Sequence, residues 1–425
     1  MAAAWPQGYE VRAPSSTFDF DTVTVWSFSQ NVTATLSSER TRYAAQSWKL
    51  ACTSTSTAQV TKNLTAQGVS LDLSSGVVTL VFYADQEQLS GGTGVGIAFG
   101  NTGNDSTNIV TYFMNINVVK KGWNFVPLFL GSAPPAGTQG YSLSVGGTGF
   151  DYTQPCRHIQ FLVTSPQVGY TFHFDSLLIG RRSRSSFLVG LDSVEQGAID
   201  YGLPELSAAG MTAYLAISAL TTDVSAARVE YTALSSRVAT LKSAGWACVN
   251  HSMSHVSGGY VTYTAQQIVD DWSANQQLFE EFGWFDGQDD LYRRFFAYPE
   301  NKTNFNVEET LAGQGVVCAR GIKNVYTISL DGELDRPLNV GSLALDNGTT
   351  LVVAINQVDE AIRRGATIHC FSHNLVDSAA TTLNWNKDDF AALIDHVVMR
   401  RSQGLIDTPE WSDWYRGLTQ PALVA

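Results

Sequence analysis

The sequence has 425 residues, of which 44% are hydrophobic and 15% charged, with a net charge of −13. That length suits two or three globular domains. The acidic balance excludes nucleic acid as the main partner, because a phosphate-binding surface needs clustered Lys and Arg, and the one short basic cluster, Arg181-Arg182-Ser183-Arg184, reads as a solvated linker.

Start and cysteines add little. The opening MAAAWPQGYEVRAP has no basic start followed by an apolar run, so no cleavable export signal is expected as written. No stretch of about 18 apolar residues predicts a membrane span. Cys52, Cys156, Cys248, Cys318 and Cys370 match no zinc-ribbon or CxxC spacing. Cys248 and Cys370 sit in apolar runs and read as buried thiols.

Residues 17–180 read as all-β. The runs TVTVWSF, SWKLAC, GVVTLVFYA, GVGIAFG, NIVTYFMNINVV, WNFVPLFL, HIQFLVT and YTFHFDSLLIG are separated by Gly, Ser, Asn and Asp clusters, the pattern of a sandwich. From Ser186 the pattern changes to short apolar runs alternating with amphipathic helical segments. FLVGL precedes a helix near 197–209, then MTAYLAI, a helix near 226–244, WACVN, a helix near 264–282 and RFFAY. A helix near 306–314 and VVCAR follow, then LVVAI read as a strand, a helix near 355–364, ATIHCF and a final helix near 387–402. This alternation predicts a parallel sheet with crossover helices, and about seven repeats fit a (β/α) barrel better than an open sheet.

Chemistry in such a barrel gathers where the strands end. FLVGL is followed by Asp192, WACVN by His251 with His255 four residues on, RFFA by Tyr298 and Pro299, and TIHCF by Ser372 and His373. Each has a bland reading: Asp192 as a helix N-cap, the HxxxH pair as an accident of spacing. His369 lies mid-strand and reads as core or barrel lining. Joint occurrence at equivalent positions of one periodic pattern lifts the set. Two histidines four apart can hold one divalent ion, a nearby carboxylate can take a proton from water, and a histidine from another strand can protonate a leaving group. Together they describe a hydrolase for an acyl group.

At these residues the sequence over 187–415 resembles the polysaccharide deacetylases, carbohydrate esterase family 4 with the NodB homology domain. FLVGLDSVEQGAIDYGLPELSAAGMTAYLAI runs in step with the family's opening motif, GWACVNHSMSH with its histidine motif, FFAYPEN with its third motif, LDRPLNV with a later one and HCFSH with its last. The resemblance implies a NodB-type barrel over 186–415 that removes acetyl groups from an N- or O-acetylated polysaccharide. It implies Asp192 as catalytic base, His373 as general acid and His251 and His255 as ligands of a divalent ion of the zinc kind. Tyr298, Pro299 and Arg336 would bind substrate, with backbone after Tyr298 holding the oxyanion. Residues 17–180 resemble the jelly-roll modules attached to carbohydrate-active enzymes, through SWKL, GWNFVPL and FHFDSLLIG. Trp26, Tyr83 and Trp123 are candidates there for stacking on sugars, weighed against burial in the core.

Two departures from the family's pattern stand out. Ser193 replaces the second Asp of the first motif, normally a metal ligand, so the ion is expected to bind weakly, to recruit Asp192 or Glu195, or to be lost. Ala297 stands where many members carry an arginine, and Arg293, Arg294 or Arg336 would have to supply that charge. The alternative function is a catalytically impaired carbohydrate-binding or structural protein, such as a phage tail component. The expected location is extracellular or on a virion, the expected partner an acetylated polysaccharide, with no membrane insertion and with self-association left open.

Overall fold

The structure is a computed structural model. It describes residues 16–419 apart from 21–26, 29–30, 43, 74–76, 87–93, 104–107, 116–118, 120, 130–140, 148, 180–184, 324–328, 331–332, 335–336 and 379–382. Trp26, Arg336 and the basic linker lie outside the described residues. The chain divides into two compact units, Val11–Arg182 and the part from Ser183 onward.

The first unit is built from two antiparallel sheets. One runs in the order Val32–Ser37, Ser47–Cys52, Thr171–Ile179, Val77–Ala84, Gly122–Phe129, and the other Tyr141–Val145, Ile109–Asn115, Gly94–Gly100, His158–Thr164, Ala58–Asn63, Ser27–Phe28. Phe161 of the second sheet stacks on Phe174 of the first with ring centroids 4.0 Å apart, and the ring of Phe20 meets Phe161 edge-on at 4.8 Å. The two inner faces therefore pack as a sandwich. On the first sheet Tyr83 pairs directly with Trp123 across strands, the two half-buried rings edge to face at 5.4 Å.

In the second unit the barrel strands are β1 (Ser185–Leu191), β2 (Tyr214–Ile217), β3 (Ala247–Asn250), β4 (Phe295–Ala297), β5 (Cys318–Lys323), β6 (Val340–Ala344) and β7 (Thr367–Ser372). They pair in parallel in that order, and β1 pairs with both β7 and β2, which closes the barrel. A short strand, β8 (Ile406–Asp407), pairs in parallel with the start of β1. Every residue of β1 is buried, as expected when one face lines the barrel and the other lies under helices. Gly190 on β1 is required by a close approach: a Cβ there would fall 2.1 Å from the Tyr214 ring.

The helices are α1 (Leu203–Ala208), α2 (Val224–Ser243), α3 (Ala265–Glu281), α4 (Phe305–Gly313), α5 (Leu351–Arg364), α6 (Lys387–Ser402) and α7 (Trp411–Thr419). Asp223, Thr264, Asn304, Thr350 and Asn386 cap the N-termini of α2 to α6 with side-chain oxygens. One expected element is corrected. LVVAI, read as a strand, is the first turn and a half of α5, because Thr350 accepts the Val353 N–H and starts the helix there. The sixth strand is instead the less apolar VGSLA.

Candidate active site

Asp192, Ser193, Glu195, Ser218, Leu220, His251, His255, Glu300, Asn301, Lys302, His373, Asn374, Leu383 and Asn384 line one cavity of about 720 Å³. All lie in the segments between a barrel strand and the helix that follows it, so the cavity opens at the C-terminal ends of the strands, where the fold places chemistry. Asp192, His251, His255 and His373 are thus brought together from β1, β3 and β7.

Asp192 is nearly buried, at 8% exposure. Its N–H donates to Ser372 O (2.8 Å), which ties the end of β1 to the end of β7. Both carboxylate oxygens accept from Arg320 of β5, Nη1 to Oδ1 and Nη2 to Oδ2, each at 2.5 Å. Arg320 is fully buried, donates also to the Tyr214 hydroxyl (2.9 Å) and lies over the Phe371 ring at 4.1 Å. Burial alone would raise the Asp192 pKa, but the Arg320 charge, then that of His251, and the Arg320 hydrogen bonds outweigh it and hold the carboxyl at about 2. The group is a carboxylate at any ordinary pH, held in one orientation by a bidentate fork.

His251 is fixed as firmly. Its Nδ1–H donates to Ala297 O at 2.8 Å, so Nε2 carries the lone pair, 3.9 Å from Asp192 Oδ2. Burial pushes its pKa down to about 3, opposed by the Asp192 charge, so the ring is neutral. The His255 ring follows at 4.9 Å, tilted by 71°. The intervening loop hangs on α3. Asp271 accepts the N–H groups of Met253 (3.1 Å) and Ser254 (2.9 Å), and Asn275 donates to Ile217 O, Asn250 Oδ1 and Ser252 O. Ser252 and His255 have positive φ, at 69° and 47°. Leu220, Glu300 and Asn301 in the cavity wall do too, at 56°, 54° and 55°. Only one other non-glycine residue among those described, Ser165, shares this conformation. Strained backbone therefore gathers at the cavity.

A divalent ion is the cofactor that the resemblance implies, and the donors present can be tested against it. His251 and His255 offer half a site. The other half is weak: each Asp192 oxygen already accepts from the Arg320 cation, which leaves a lone pair for water but neutralises the charge that a metal ion needs, and the Ser193 hydroxyl donates to His373 O at 2.6 Å. Among the described residues no group of three His, Cys, Asp or Glu is arranged to hold a metal. Catalytic zinc ordinarily takes three protein ligands, so this donor set does not fit a resident ion.

Other expected site residues are placed differently. Tyr298 is fully buried between α3 and α4 with Phe296, Ile268, Val307 and Leu311. Its hydroxyl donates to Leu338 O and its N–H to Arg320 O. Neither Tyr298 nor Pro299, which has no N–H, reaches the cavity. Glu300, Asn301 and Lys302 line it instead. Glu300 accepts the Gly258 N–H at 2.9 Å and Lys302 Nζ at 2.6 Å, bracing this loop against the histidine loop. His369 is fully buried against Tyr214 and Trp411, as lining of the barrel. The charge absent at Ala297 comes from Arg320, which the sequence reading passed over. Its signal was an arginine at the same depth in an apolar strand, VVCAR, as Asp192 after FLVGL.

No family model matches the sequence, and no curated protein does. Solved structures resemble part of it. The family 4 carbohydrate esterase from Streptomyces lividans in complex with acetate is 16% identical, over 54% of this chain and 94% of that one, with a TM-score of 0.34. The family 4 acetyl xylan esterase from Clostridium thermocellum in complex with a cobalt ion is 12% identical over 54% and 89%, with a TM-score of 0.36. A mutant of a family 4 pseudoenzyme is 13% identical over 63% and 79%, also at 0.36.

Proposed function

We propose that the barrel hydrolyses acetyl groups on a polysaccharide, as a carbohydrate deacetylase or esterase. The observation that carries this reading is the permanently ionised, doubly held carboxylate of Asp192, facing a neutral His251 Nε2 in a cavity that also holds His373. Asp192 accepts the proton of the attacking water, and the Arg320 fork keeps it from turning away. His251, pinned through Nδ1 to Ala297, presents a second acceptor to the same water. His373, from the far side of β1, donates a proton to the departing nitrogen or oxygen. No step passes through a metal. The N-terminal sandwich is read as a jelly-roll module, with Tyr83 and Trp123 offering partly exposed rings to sugar.

The test of roles is His373→Ala assayed on two substrates. A poor leaving group, the amide of an N-acetylated sugar, needs protonation far more than an activated aryl acetate. Turnover of the amide is therefore expected to fall much further, and equal losses would remove His373 as the acid. The incomplete donor set favours a second reading, a barrel that binds glycan without turning it over. Glycan binding without acetate release separates that reading from the first.

A further inference from the structure

Two leucines stand in unusual places on the same cavity. Leu220 is 73% exposed and Leu383 is 52% exposed, and both line the cavity. Leu220 also has φ of 56°, a left-handed conformation that bulky L residues rarely adopt. Its N–H turns back to the Ser218 hydroxyl at 3.3 Å. The local fold thus spends backbone strain to put an apolar side chain in water. Single exposed leucines are ordinary on protein surfaces. A strained one sharing a cavity with a second is not.

Topology gives the pair a common purpose. Leu220 follows β2 and Leu383 follows β7, and these are the two strands that flank β1, at whose end Asp192 stands. The leucines therefore belong to the loops on either side of the reacting carboxylate. Ser193, Glu195, Ser218, Asn374 and Asn384 line the same cavity and add polar groups beside the leucines. Exposed leucines beside these polar groups suit a ligand with both characters, such as a pyranose ring, with hydroxyls at its edge and C–H groups on its faces. The cavity, at about 720 Å³, is in the range that holds ligands larger than one sugar ring.

We infer that Leu220 and Leu383 are specificity-determining rim residues that pack on the C–H faces of sugar rings flanking the acetylated one, so that the site selects a glycan chain over a monosaccharide. This rests on the deacetylase reading only for its kinetic readout.

The experiment compares the full chain with Leu220→Ala, Leu383→Ala and the double variant. The probes are the N-acetylglucosamine hexamer, an O-acetylated xylan hexamer and an aryl acetate. The double variant is expected to raise KM for at least one hexamer about tenfold, the loss expected for some 50 Å² of apolar contact, with kcat unchanged. KM for the aryl acetate should move far less. Unchanged KM for both hexamers, or an equal rise for the aryl ester, overturns the inference. If the wild type releases no acetate, the deacetylase reading fails by itself, and calorimetric binding of the same hexamers decides the rim. Binding about tenfold weaker in the double variant upholds the inference, and binding absent or unaltered overturns it.

Discussion

Replacing Arg320 by Met isolates the interaction that organises the site. Methionine keeps much of the length and contact with Phe371 but removes the charge and the fork. The Arg320 side chain is fully buried and that of Asp192 is 3% exposed, so solvent screens the pair little. Breaking such a pair from one side costs about 3–5 kcal/mol, because the remaining charge is left buried. The pH dependence follows from Asp192. Its carboxyl is held at about 2 against an ordinary 3.8. Its contribution is therefore complete above the ordinary value and lost as pH falls through about 2. In Arg320→Met the strongest of the charges opposing burial is gone, so the carboxyl moves up instead. The penalty is then largest at neutral pH and shrinks as pH falls toward 4, where Asp192 takes a proton. Urea unfolding of wild type, Arg320→Met, Asp192→Asn and the double variant across pH 4 to 8 measures this. The double variant should recover part of the loss, since it leaves no buried charge. A penalty below about 1 kcal/mol, the scale of an exposed pair, or one independent of pH, would refute the reasoning.

Other outcomes follow from the same geometry. The His251 ring should show no titration by NMR between pH 8 and 4, with its proton on Nδ1. Because its pKa is depressed to about 3, the unfolded chain binds a proton first, and stability should fall as pH drops below the ordinary histidine range. A ring that titrates near 6.5 would contradict this placement. Chelator should leave the melting temperature unchanged, and zinc titrated by calorimetry should find no tight site, whereas stoichiometric tight binding would show that the donors rearrange. Ser193→Ala should cost about 1 kcal/mol through the lost bond to His373 O. Ser193→Asp should also destabilise, by setting a carboxylate against that carbonyl. Stabilisation of Ser193→Asp by zinc would show that position 193 faces an ion instead.

The barrel was legible because most of its strands carry an apolar run followed by a polar residue, and the same rule located Asp192, His251 and His373, with His255 four residues after His251. One exception, VGSLA, carries Gly and Ser and passed unnoticed beside LVVAI, an apolar run at the start of α5 in which only Ala354 is buried and Val352 is exposed. Periodicity of so short a run cannot separate strand from helix, and the Thr350 cap decides it. Tyr298 looked like a site residue by adjacency, yet alternation turns Phe296 and Tyr298 outward under α3 and α4 and leaves Ala297 to receive the His251 proton. Arg320 was hidden for a different reason. Its partner is 128 positions away in sequence, so only the closing of the barrel brings the charges together. Ser193 was read as a departure from a metal-ligand position, and its hydroxyl serves the β7 loop, which no local pattern in the sequence encodes.

The central claim is that Asp192 drives acyl hydrolysis on a glycan. Its most direct test is acetate release, followed by NMR, from N-acetylglucosamine oligomers and acetylated xylan, with wild type and Asp192→Asn in parallel. The account predicts acetate from at least one glycan with the wild type and none with Asp192→Asn, while calorimetry shows both binding that glycan alike. Equal release by the two proteins would contradict it, as would no release from any glycan that the wild type binds.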